Sequence, residues 1–244
     1  MISIELLGRV GNQLFQISAL KAWSLRTGFE PFYPKWDQAH YFAGDFSNKT
    51  DTFVPQYIYQ EPHFHYNPLP KVDDCVAKGY FQSEKYFEHC SNEIREMFTI
   101  KDGFVSQKTK DLAKIPNLVG VHCRRGDYVS TYADHFHVQN MDYYNKSMSL
   151  FPGANFVICS DDQNWCKENF IGQRFTFSEG NIIDDLWLLS HCEHNVMGNS
   201  SYSWWGAWLN KNPDKKVVAP AKWFNWAQAH NNTSDLYCKD WIII

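Results

Sequence analysis

Short apolar runs alternate with stretches of helical period along most of this chain. Ile2–Leu7 reads as a strand that meets a turn at Gly8-Arg9-Val10-Gly11-Asn12-Gln13. From Leu14 to Thr27 the apolar residues Leu14, Phe15, Ile17, Leu20, Ala22, Trp23 and Leu25 cover much of a helix circumference, which predicts a well-buried helix. Gly28 stands where such a helix stops, and Phe29–Tyr33 reads as a second strand. Residues 34–72 are rich in Pro, His, Asn and aromatics without a period, and are expected to be irregular. Ser83–Phe98 carries Phe87, Cys90, Ile94, Met97 and Phe98 on one helical face. Beyond Pro116-Asn117, strands are expected at 118–123, 155–160, 174–177, 195–198 and 216–219. Helices are expected near 141–150, 162–170, 184–192 and 203–211. Alternation of this kind predicts an α/β protein with a parallel sheet.

Composition narrows the class. The 244 residues are 44% hydrophobic and 20% charged, which fits a folded globular chain and not a disordered one. A net charge of -4 argues against a general nucleic-acid binder, so any phosphate site must be local. Aromatics are 17% with ten Trp; packing is the default role for each, although sugar sites also use aromatic faces. The seven Cys contain no C-x-x-C pair, so neither zinc nor a disulfide framework is implied, and a reducing compartment suits them. No apolar run approaches the ~20 residues of a membrane span, and no signal peptide is visible before Gly8-Arg9. The N-x-[ST] triplets at Asn48, Asn145, Asn199, Asn231 and Asn232 are chance matches without a secretory route.

The chemistry concentrates at Val119–Tyr128, Val-Gly-Val-His-Cys-Arg-Arg-Gly-Asp-Tyr, where an apolar run ends in two Arg. Strand ends deliver residues to a crevice, and the Arg fork matches phosphate oxygens in pairs, so a diphosphate is the natural ligand. Successive residues of a strand face opposite sides. Arg124 and Arg125 therefore serve one ligand only if the strand has ended, and one of them is expected to pair with a carboxylate, Asp127 being nearest in sequence. The Gly8–Gln13 loop lets backbone approach a ligand near a helix start; the plainer alternative is a tight turn with Asn12 as N-cap. Asn181 with Asp184 resembles a capping box, while one acid of Asp184-Asp185 could accept two hydrogen bonds from a guanine edge. Asn199-Ser200-Ser201-Tyr202-Ser203-Trp204-Trp205-Gly206 leaves a strand and opens a helix, forming either an anion site or a plain Ser cap, and Gly206-Ala207 suggests close helix packing. Acid pairs occur at Asp73-Asp74, Asp161-Asp162 and Asp184-Asp185, but no D-x-D occurs, which points to Arg and not a metal as the neutraliser of a leaving diphosphate.

Gly8–Gln16 (GRVGNQLFQ), Gly79–Phe87 (GYFQSEKYF), His122–Tyr128 (HCRRGDY) and Asn199–Leu209 (NSSYSWWGAWL) occur in an order that resembles the α1,2-fucosyltransferases of glycosyltransferase family 11. The arginine motif is also similar to that of α1,6-fucosyltransferases and, more loosely, protein O-fucosyltransferases. The resemblance implies a GT-B-like fold, two Rossmann-like domains facing a cleft. Residues 1–115 would form the N-terminal, acceptor-side domain, and residues 116–244 would bind GDP-fucose. It implies an inverting, metal-independent transfer with no cofactor, GDP-fucose being the donor substrate. Carried over by motif, Arg124 would stabilise the GDP leaving group, and His122 with Asp185 would contact guanine. Ser201 and Ser203 match a loop that touches the phosphates, with Asn199 and Ser200 beside them. Asn12, preceded by Gly11, matches an Asn at the reaction centre. Arg125 would be mainly structural, and Asp127 would hold an Arg or serve as base. Departures from the family pattern are Cys123 for Val or Ile, Ser201-Tyr202 for Thr-Phe, and Gly8-Arg9 for Gly-Gly.

The expected activity is therefore transfer of L-fucose to the 2-hydroxyl of a β-galactoside in a glycan. It would act in the cytoplasm, or peripherally at a membrane, as a bacterial or viral type without a Golgi anchor. The alternatives are another nucleotide sugar, linkage or acceptor, and a catalytically silent glycan-binding module using a Trp-rich surface.

Overall fold

A computed structural model describes residues 1–244. Close contacts divide the chain into two units, Met1–Lys101 with Asn231–Cys238, and Asp102–His230 with Lys239–Ile244. The sequence places this division between 115 and 116. It falls earlier because the segment after Lys101 packs on the second unit: Ser106 N–H donates to the Asp184 carboxylate at 2.8 Å.

The first unit contains β1 (Ile2–Ile4), α1 (Val10–Thr27), β2 (Pro31–Phe32), β3 (Tyr57–Gln60), β4 (Cys75–Lys78) and α2 (Ser91–Met97). Its sheet runs β2-β1-β4-β3 and is wholly parallel. Burial of Leu14, Phe15, Ile17, Leu20 and Trp23 at 1% exposure or less explains why α1 is apolar around most of its surface. Gly28 ends α1 in the left-handed conformation, φ 77°, with its N–H on Ser24 O. Three expectations change here. The expected strand 2–7 stops at Ile4, and the irregular stretch 34–72 contains β3, an edge strand whose exposed Tyr57 and Ile58 obscure its pattern. The expected helix 83–98 breaks into short 3₁₀ turns at Glu84–Tyr86 and Glu88–Cys90 before α2.

The second unit contains α3 (Gln107–Leu112), β5 (Leu118–Cys123), α4 (Met141–Met148), β6 (Asn155–Ser160), α5 (Gln163–Asn169), β7 (Phe175–Phe177), α6 (Ile182–His191), β8 (His194–Val196), α7 (Ser201–Leu209), β9 (Val217–Ala219) and β10 (Ile242–Ile243). The sheet order is β10-β9-β8-β5-β6-β7, again parallel throughout. From β5 the chain builds outward through β6 and β7, then returns to lay β8, β9 and β10 on the other side. The order therefore reverses between β5 and β8, the arrangement of a dinucleotide-binding sheet. All six residues of β5 are buried, as expected of a strand covered on both faces. Besides β3, sequence analysis missed the short elements β4, α3 and β10.

Six of the ten Trp are buried, and Trp204, Trp205 and Trp208 lie together inside α7, so most Trp serve the core and only Trp226, at 69% exposure, is strongly exposed. All seven cysteines are free, six of them buried. No helix is long and apolar enough to cross a membrane. Helices α6 and α7 touch at Gly206, where a Cβ would lie 2.8 Å from Leu189 Cβ. Gly206→Val is expected to force these helices apart and lower stability by about 1–3 kcal/mol, read as a lower urea midpoint at unchanged slope.

Candidate active site

The strand end that the sequence singles out lies at the reversal of the second sheet. β5 stops at Cys123, so Arg124 and Arg125 are free to diverge. The parallel register pairs Cys123 with Ser160, and the residues leaving the two strands, Arg124-Arg125 and Asp161-Asp162, emerge side by side. Arg124 places its two terminal nitrogens on Asp127 and Asp161, with its guanidinium 5.0 Å from the Tyr128 ring centroid. Arg125 turns the other way, stacking 3.9 Å over the Trp165 ring and pairing Nε with Asp162 at 3.1 Å. Asp161 also accepts the Arg125 backbone N–H at 2.9 Å. Its carboxylate leaves no room for a Cβ at Gly126.

Sequence reasoning weighed Asp161-Asp162 only as a metal pair and missed this role. The signal was present: the acid pair follows the next predicted strand, and parallel neighbours bring their ends together.

His122, the penultimate residue of β5, is buried and shares a hydrogen bond between Nδ1 and Ser203 Oγ; Ser203 Oγ also accepts Gly198 N–H at 3.2 Å. Burial, reinforced by the Arg124 charge, pushes the imidazole down to about 3, so the ring is neutral at physiological pH. The β8 end comes close enough that a Cβ on Gly198 would sit 2.9 Å from His122 O.

Ser200 caps α7 by accepting Tyr202 N–H at 3.3 Å, the plainer of the two roles considered for this motif. Ser201 is half-buried at the first residue of that helix. Asn199 is fully buried and donates its amide to His137 O and Trp223 O at 2.6 and 2.8 Å, so its nitrogen braces two loops.

The two acids of α6 separate cleanly. Asn181 and Asp184 form a complete capping box. Burial pushes Asp184 up, but hydrogen bonds from Ser106, Thr109 and the Asn181 N–H outweigh it and hold the carboxyl below its ordinary value. Asp185 accepts the Ser178 hydroxyl; burial pushes it up to about 6, against the hydrogen bonds from Ser178 and Cys159.

Gly11 and Asn12 belong to the first unit, whereas the other expected site residues belong to the second. Asn12 is not the N-cap of α1. The helix begins at Val10 after an extended Arg9, which offers no capping side chain, and Gly8 makes the turn at φ 71° with no space for a Cβ beside the Asn12 amide.

Residues 56–244 match the sequence profile of glycosyl transferase family 11. The chain belongs to glycosyltransferase family 11. It is 34% identical to an α-1,2-colitosyltransferase of Escherichia coli over 100% of this chain and 99% of the relative. It is 27% identical to galactoside α-(1,2)-fucosyltransferase 2 of Oryctolagus cuniculus over 86% of this chain and 67% of the relative. Among solved structures, a NodZ α-1,6-fucosyltransferase co-crystallised with GDP superposes with a TM-score of 0.56 at 12% identity, over 84% of this chain and 91% of NodZ. That likeness places this family 11 chain in the GT-B fold of fucosyltransferases, as the sequence motifs lead one to expect.

The raised Asp185 has a measurable consequence for the family 11 fold. A carboxyl raised from 3.8 to about 6 favours its protonated form in the folded state, so ionising it costs stability. The contribution of Asp185 to stability is expected to fall by about 1–3 kcal/mol as pH rises from 4 through 6. Asp185→Asn should flatten that dependence and raise the pH 7 denaturation midpoint; an unchanged pH profile would show that the carboxyl ionises freely.

Proposed function

We propose that this protein transfers L-fucose from GDP-fucose to the 2-hydroxyl of a β-galactoside, with inversion and without a metal. The observation that carries the reading is Arg124, held between Asp127 and Asp161 where the strand order of the second sheet reverses. Ligands of parallel α/β sheets bind at that point, outside the carboxyl ends of the strands. The neighbouring strand end opens α7 with a Ser cap, which turns backbone N–H groups toward the same ends. The fold likeness to NodZ co-crystallised with GDP and the α-(1,2)-fucosyltransferase relative support a GDP donor and this linkage.

In this reading the galactoside 2-hydroxyl oxygen attacks the anomeric carbon from the face opposite GDP and releases its proton late, to solvent. The bond to the β-phosphate oxygen breaks, and its electron pair leaves with the diphosphate. Negative charge grows on the diphosphate, where Arg124 and the α7 N–H groups meet it with little rearrangement. Asp161 and Asp127 keep the guanidinium aimed. The neutral His122 and the Asp185 carboxylate are assigned to guanine, the carboxylate accepting N1–H and N2–H. Asp127, engaged with Arg124, is assigned to orientation and not to proton abstraction. Asn12 is assigned to the reaction centre. The free cysteines fit a cytoplasmic setting.

A second reading has an observation of its own. The colitosyltransferase relative spans the whole chain, and colitose is fucose without its 3-hydroxyl. The donor would then be GDP-colitose in the same site. Burial of most Trp argues against the silent glycan-binding alternative, which needs them at the surface.

Incubation with GDP-fucose, GDP-colitose and UDP-sugars over an array of β-galactosides, in EDTA, with the product linkage and anomer read by NMR, tests the reading. An α1,2-linked product from a GDP sugar supports it; preference for UDP or dependence on added metal overturns it. Arg124→Ala is expected to lower kcat by about 100-fold or more, by analogy with loss of an oxyanion donor. The thermal midpoint should stay within a few degrees, because Asp127 and Asp161 retain 19% and 28% side-chain exposure and can rehydrate.

A further inference from the structure

The motif Gly79–Phe87 carries no role in the reading above, yet the first unit is built to hold it in an unfavourable shape. It leaves β4, and Gly8–Gln13 leaves β1. These strands are parallel neighbours at the centre of the first sheet, Ile4 beside Ala77. Across that junction Gln82 Nε2 donates to Asn12 Oδ1 at 2.8 Å.

The backbone just before Gln82 is strained. Phe81 is fully buried at φ 52°, a left-handed conformation that costs a bulky residue about 1–3 kcal/mol. Three groups enforce it. The Glu61 carboxylate accepts Tyr80 N–H at 2.7 Å and Phe81 N–H at 3.1 Å. Buried Gln16 donates to Gly79 O at 2.8 Å while accepting Leu7 N–H at 3.0 Å. Ser83 N–H closes the turn on Phe81 O at 2.9 Å. Gly79 must lack a Cβ because Glu61 occupies its place. Half-burying a carboxyl and fully burying a carboxamide to hold one turn is a large local commitment, and what the turn delivers is the Gln82 side chain, 8% exposed, onto Asn12.

We propose that Gln82 is a positioning residue for sugar transfer: its amide fixes the Asn12 carboxamide with Oδ1 held and Nδ2 turned toward the Gly8 turn. This rests on the reading of Asn12 at the reaction centre. A freely rotating Asn amide presents donor and acceptor in either order, and one hydrogen bond from Gln82 selects the order. Gln82 thus acts on the reacting sugar only through Asn12, and its loss affects the chemical step and not the capture of the GDP donor.

The test is Gln82→Glu, nearly isosteric, which replaces the donor by an acceptor and turns the Asn12 amide over. Its kcat is expected to fall at least tenfold, with the GDP-sugar KM within twofold and the thermal midpoint within a few degrees. Asn12→Ala and the double variant Asn12→Ala/Gln82→Glu should have equal kcat within twofold, since Gln82 has nothing left to position. The Asn12 side-chain amide resonances of ¹⁵N-labelled protein should shift in Gln82→Met, which reads the contact without activity. Wild-type turnover with kcat of Gln82→Glu within twofold, additive losses in the double variant, or unshifted Asn12 resonances would overturn the positioning role while leaving the transferase reading intact. Wild-type protein that transfers from no GDP sugar would instead sink the transferase reading, and the role of Gln82 with it.

Discussion

Each sheet of this protein is organised around the gap between the carboxyl ends of two central parallel strands, and in the second sheet the strand order reverses there. In the first unit the gap lies between β1 and β4, in the second between β5 and β8. Each of the four sequence motifs leaves one of these four strands. In each unit side-chain hydrogen bonds tie the two motifs together, Gln82 to Asn12 and Gln16 to Gly79 in the first, His122 to Ser203 and Tyr128 to Asn199 in the second. Such a gap suits chemistry because the fold exposes backbone ends and helix starts at that place.

Charge at the second of these gaps is arranged by register. Two adjacent cations on one strand would repel and resist burial, but the neighbouring strand ends in two adjacent carboxylates at the same level. One pair becomes scaffolding, with Arg125 flat on Trp165 and Asp162 also capping α5. The other stays partly open, with Arg124 held at both ends. The imidazole just behind it is denied a charge by burial, so no second cation competes with Arg124 in the interior.

Much of this was legible in the sequence, and unevenly. The strands of the second unit were readable because burial on both faces demands unbroken apolar runs such as Leu118–Cys123 and Asn155–Ser160. The capping box at Asn181 was readable because its two side chains are three residues apart and satisfy each other locally. Edge strand β3 was not, since a half-exposed edge imposes no apolar pattern on Tyr57–Gln60. The cap, the plainer of the two readings of Asn12, fails because α1 starts at Val10 after Arg9, with no capping side chain to announce it. The pairing of Arg124 with Asp161 depends on strand register, which is a property of two distant segments and is written in neither alone.

Unit one is completed by a piece of chain made only after nearly all of the second unit. Asp235 accepts Lys85 and the Tyr66 N–H at 3.2 Å, and the segment carrying it, Asn231–Cys238, follows nearly all of the second unit in sequence. During synthesis the N-terminal unit therefore leaves the ribosome lacking a part of itself and waits while its partner is translated and folds. The order of emergence and the order of completion are opposite, which makes this half the one exposed longest to chaperones and proteases in a newborn chain.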